Sequence, residues 1–68
     1  MSGNPTLATI TTILEYIKEK RTVSYYQINQ DLGFLYSTVK ASVDFLEERG
    51  DIEQIKVGKR RFIKYKRD

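Results

Sequence analysis

At Gly50 the hydrophobic pattern of this 68-residue chain changes period. Before it, apolar residues recur at steps of three and four. After it, β-branched and aromatic residues recur at strand spacing. Such a break calls for helices followed by a hairpin, an α+β fold. The chain contains no cysteine and no histidine, so no disulfide and no ordinary zinc site can staple it. Helices and hairpin must therefore cover one another's apolar faces. The length allows a single domain, expected over residues 4–68 behind a disordered 1–3. A chain this short buries only about 60% of its unfolded surface, which leaves little room for a water-excluding substrate cleft.

Asn4-Pro5 reads as a helix start, since asparagine can accept from an orphan amide and proline suits the first helical position. Leu7, Ile10, Ile13, Leu14 and Ile17 then form one apolar stripe, and the helix should end within Lys18–Arg21. Threonines 6, 9, 11 and 12 weaken its intrinsic helicity, so packing must hold it. Thr22-Val23 is extended at most, a short strand. Ser24 with Gln27 forms a capping box, and Val23 and Ile28 occupy the positions of a hydrophobic staple. The second helix accordingly runs from Ser24 to about Leu32 and stops at Gly33. A third helix follows after two or three residues, with Val39, Ser42, Val43 and Leu46 on its inner side, and ends at Gly50.

Ile52, Ile55, Val57, Phe62, Ile63 and Tyr65 mark two strands about Gly58-Lys59, a two-residue turn of the type with glycine first. That turn pairs Val57 with Arg60, Ile55 with Phe62 and Glu53 with Lys64. The adjacent apolar residues Phe62-Ile63 break the alternation and leave a register one residue away open.

Charge is unevenly distributed. The whole chain carries +3. Residues 1–55 hold five basic groups (Lys18, Lys20, Arg21, Lys40, Arg49) against eight acidic ones, a net of −3. Residues 56–68 hold seven basic groups (Lys56, Lys59, Arg60, Arg61, Lys64, Lys66, Arg67) against Asp68, a net of +6. An acidic body with a basic end points to a polyanionic partner. No apolar run approaches the roughly 18 residues of a membrane helix, and the N-terminus has no signal-peptide pattern. The expectation is a cytoplasmic protein, nucleoid-associated if bound to DNA, with no membrane partner.

The order helix, short helix, glycine-containing turn, helix and hairpin contains a helix-turn-helix unit. The stretch Val23–Ile52 resembles the winged helix-turn-helix family: a cap serine, Ile28, Leu32-Gly33, Ser37-Thr38-Val39, then Leu46-Glu47-Glu48-Arg49-Gly50-Asp51-Ile52. The hairpin over Gln54–Tyr65 is similar to that family's wing. The likeness covers roughly residues 7–66. Small MarR-like and PadR-like regulators share it, as do compact regulators of archaea and their viruses and plasmids. Two departures stand out. Leu35 occupies the place of the polar cap usual before the recognition helix, so Ser37 is an alternative cap. The tryptophan and proline of the wing in related Z-form nucleic-acid binders are missing, which disfavours that branch.

The resemblance implies a double-stranded DNA-binding transcription regulator, a repressor or activator acting sterically at a promoter. The third helix would enter the major groove by its N-terminal half. Its candidate contacts are Tyr36, Ser37, Thr38, Lys40, Ala41 and Asp44. Ser37 can donate or accept, Lys40 can reach guanine or phosphate, and Ala41 can touch a thymine methyl. Asp44 can accept from a cytosine amino group or repel phosphate. The same residues also read as an ordinary solvated helix face. The wing tip Lys59, Arg60 and Arg61 suits phosphates or the minor groove, with Lys56, Lys64, Lys66 and Arg67 extending the footprint. Charge protecting an edge strand is the plainer reading.

Ser24 and Tyr25, with Tyr36, stand at helix starts where hydroxyls and orphan amides can meet phosphate. Tyr26 reads as partial core, and Phe62, Tyr65 and Phe45 as core rather than stacking platforms. Neighbouring Glu47-Glu48 do not converge as a catalytic dyad, and no enzyme, metal or cofactor is expected. A homodimer fits palindromic operators, with the first helix or Phe45 as its interface. Two other readings compete. One is a winged-helix protein-interaction module. The other is a non-specific DNA- or RNA-binding protein of chromatin type.

Overall fold

Three helices and three antiparallel strands follow one another in the computed structural model, which describes residues 5–67. The order is α1 (Leu7–Lys20), β1 (Thr22–Ser24), α2 (Tyr25–Leu32), α3 (Tyr36–Arg49), β2 (Ile52–Val57) and β3 (Arg60–Tyr65). The fold is α+β, a layout compatible with a winged helix. The expected disordered 1–3, Asn4 and Asp68 lie outside the described residues. Among the described residues, no helix is long and apolar enough to cross a membrane.

Each boundary has a local cause. α1 starts later than Asn4-Pro5 suggests. Thr6 is its cap, its Oγ1 accepting from the Thr9 amide at 3.1 Å. The stripe is also shorter than its sequence pattern, because Leu7 in the first turn is 73% exposed. Arg21 closes α1 at φ 73° and ψ −49°, a positive-φ conformation that is uncommon for a residue with a side chain. It turns the chain sharply into β1, where the Arg21 carbonyl accepts from Tyr65. Thr22-Val23 is indeed extended, and the strand continues to Ser24.

Ser24 caps α2 as its capping-box pattern requires, accepting from the Gln27 amide at 3.1 Å. Val23 and Ile28 are both buried. Gly33 ends α2 at φ 74° with one bond back to Asn29, the simple left-handed cap. Ser37 does not cap α3: the helix starts at Tyr36, and Leu35 precedes it without a side-chain hydrogen bond. At the other end Gly50 (φ 86°) bonds Glu47 and Asp51 bonds Leu46. That pair of bonds is the Schellman motif, for which glycine supplies the left-handed residue.

The sheet has the order β1-β3-β2, so β3 is central. Val57 pairs Arg60, Ile55 pairs Phe62 and Glu53 pairs Lys64, the register set by a two-residue turn. Gly58 has φ 63° while Lys59 stays at negative φ, as a type II′ turn demands. The Phe62-Ile63 ambiguity resolves by facing. Ile63 points inward with Val23 and Ile52, and Phe62 shares the outer face with Ile55 and Val57.

The core is Ile13 and Ile17 of α1, Ile28 of α2, Val39, Val43 and Leu46 of α3, and Val23, Ile52 and Ile63 of the sheet, with Tyr25 at its margin. Phe45 and Phe62 are not part of it. Phe45 is 42% exposed beneath the Arg49 guanidinium, and Phe62 is half-buried. A buried carboxylate ties the last strand to the end of α3: Asp51 pairs with Arg67 and Arg49, and its carbonyl accepts from Lys66. Arg67 is therefore engaged in the fold while its side chain stays largely exposed.

Candidate nucleic-acid interface

Between the start of α2 and the β2–β3 turn lies an open groove of about 910 Å³. Ser24, Tyr25 and Tyr26, together with Tyr36 at the start of α3, line it with Lys59, Arg60, Arg61 and Phe62 of the hairpin. Six candidate residues, far apart in sequence, thus meet around one space. They do so because β1 pairs with β3, setting Ser24 opposite Phe62. No acidic side chain lines the groove. The cations of the turn therefore act together on whatever enters it.

Helical geometry assigns the tyrosines. Tyr25 lies at the position three before Ile28 and seven before Leu32, on the inner side of α2. It is 6% exposed. Tyr26, one step on, is 71% exposed, and its hydroxyl accepts from Gln30. The expectation of partial burial for Tyr26 is therefore corrected, and the same angular spacing read along α2 predicts the exchange. Tyr36 meets Tyr25 edge-on, centroids 5.6 Å apart, and half of Tyr36 remains exposed.

Burial raises the Tyr25 hydroxyl, with help from the nearby Asp44 carboxylate, to about 12. The positive charge of the nearby Arg61 guanidinium works against that shift. Tyr25 stays protonated, a donor, at any physiological pH.

The remaining candidates lie along α3. Ser37 and Asp44 are exposed, while Thr38, Lys40 and Ala41 are half-exposed. The Thr38 carbonyl accepts from Ser42, which explains how a serine sits in the core. Lys40 and Asp44 pair at 3.3 Å across one turn, an exposed contact contributing about 0.3–0.5 kcal/mol. A polar partner could displace it at little cost. Asp44 is linked back to the groove through Gln54 and Tyr25.

Gln54 is the residue that composition and charge counting miss. The signal for it is alternation on β2, where a polar side chain occupies an inward position between Ile52 and Lys56.

The arrangement offers three kinds of group. Three cations, Lys59, Arg60 and Arg61, stand at the hairpin tip. Amides in the first turn of α3 lack a side-chain acceptor. A helix face carries small and hydrogen-bonding side chains. Together they can hold a phosphate backbone and present short side chains to groove edges. Comparison with known proteins finds no matching family model, curated protein or solved structure.

Proposed function

We propose that this chain is a winged helix-turn-helix protein that binds double-stranded DNA and regulates transcription by occupying its site. α3 would enter the major groove, and the β2–β3 hairpin would serve as the wing. The observation that carries the reading is the groove walled by Lys59, Arg60 and Arg61 opposite the starts of α2 and α3. Such a groove accepts a polyanion along its length, because its cations come from one side and hydroxyl and amide donors from the other. The residues of α3 beyond it are short or polar, as a helix that must approach base edges requires.

The two surfaces have separable signatures. Lys40→Ala should weaken binding by about 1–3 kcal/mol at preferred sites and change which bases are preferred. Arg60→Ala should weaken binding to all duplexes alike and lower the salt slope by about 1. Fluorescence anisotropy with a preferred and a random duplex measures both. Wild-type binding by both variants contradicts the assignment.

A further inference from the structure

Gln54 lies where a sheet packed on helices ordinarily carries an apolar side chain, opposite buried Ile63 and next to Ile52 on the inner face. Its amide has a partner for each polar atom. Nε2 donates to Asp44 Oδ1 at 3.1 Å and to Glu47 Oε1 at 2.7 Å, and Oε1 accepts from the Tyr25 hydroxyl at 2.5 Å.

Chemistry leaves one orientation. Ionised carboxylates only accept, so the NH₂ must face them, and the carbonyl is left for Tyr25. The carboxylates of Asp44 and Glu47, three residues apart on one helix, repel each other. The two hydrogens of one amide hold both. While this clasp is closed, the Tyr25 proton is committed to Gln54. Tyr25 therefore has no hydrogen to give a phosphate.

We propose that Gln54 is a specificity-determining positioning residue: by holding Asp44, it makes that carboxylate a fixed acceptor on the reading face of α3. The inference rests on the DNA-binding reading above. The second Asp44 oxygen, Oδ2, lies beside Lys40, in an exposed pair that a base can displace, so it is the oxygen left to accept. An acceptor with one location discriminates a cytosine amino group from a thymine or guanine carbonyl. A carboxylate free to rotate does not, and can swing toward phosphate instead. Gln54 itself touches no base. Its effect is on selectivity rather than on backbone contacts.

The test compares wild type with Gln54→Met, which keeps side-chain length and removes donors and acceptor. Asp44→Ala, at an exposed position, is the second variant and does not depend on Gln54→Met folding. Duplexes selected from a random pool define the preferred site. The ratio of preferred to random affinity should fall about tenfold in both variants. In Gln54→Met the salt slope should stay that of wild type. Hα–Hβ couplings should show one Asp44 side-chain rotamer in wild type and averaging in Gln54→Met, a signature that general destabilisation does not give.

A selective wild type with an unchanged ratio in either variant overturns the role of Gln54 and leaves the DNA-binding reading standing. Asp44 averaging already in wild type does the same. A wild type that binds no duplex overturns both.

Discussion

Ile63→Ala should remove about 2–5 kcal/mol of stability, about half of what a chain of this length has. At about 0.05–0.15 kcal/mol per residue, 68 residues hold roughly 3–10 kcal/mol. Ile63 is fully buried on the central strand, paired with Val23 on one side and Gln54 on the other. Alanine there leaves a cavity that strands held on both sides cannot close, and it replaces a good strand former with a poor one. Val57→Ala, on the exposed outer face of the same sheet, should change stability by no more than about 0.5 kcal/mol. Urea unfolding of both variants beside wild type measures the contrast. If Ile63→Ala lies within about 1 kcal/mol of wild type, the core is misassigned.

The second large effect concerns charge. The double change Lys59→Gln with Arg60→Gln should weaken duplex binding about thirtyfold at 0.15 M salt. It should also reduce the slope of log affinity against log salt by about 1.8. Each phosphate contact releases close to one counterion, contributing about fivefold at that salt concentration. Arg61 is left out deliberately. It shares the inner sheet face with Ile63, unlike Arg60, and its charge acts on the Tyr25 hydroxyl, so it is partly directed into the protein. Arg61→Gln should therefore change the slope by less than either neighbour. Equal slopes for the double variant and wild type would place the backbone contacts elsewhere.

Features that depend on neighbouring residues were legible in the sequence. The cap at Ser24, the stop at Gly33, the end of α3 at Gly50 and the hairpin register about Gly58-Lys59 are each set by a few adjacent residues. The structure has all four. Features set across the fold were not. Leu7 fits the α1 stripe by spacing, yet it stays exposed in the first turn of the helix. Leu35 precedes α3 without a polar side chain, although Ser37 nearby offers the kind of side chain that ordinarily caps a helix.

At the candidate site, the charge partition identifies Lys59, Arg60 and Arg61 as a cluster but not their directions. Those follow from which face of β3 each occupies. Arg67, counted with the same cations, is drawn instead to the buried Asp51 carboxylate. Gln54 was invisible to any count of charges because it is neutral. Its importance comes from two carboxylates and a tyrosine brought together from α3 and α2.

Under the proposed function, the hairpin cations and the exposed face of α3 act on the same duplex, one holding it and the other reading it. Selection of bound duplexes from a random pool, run at a low and a high salt concentration, tests this most directly. Total binding should fall steeply as salt rises. The same short sequence should be enriched at both concentrations, because base contacts release few counterions. Binding that does not respond to salt, or recovered duplexes with no shared sequence at either concentration, would contradict it.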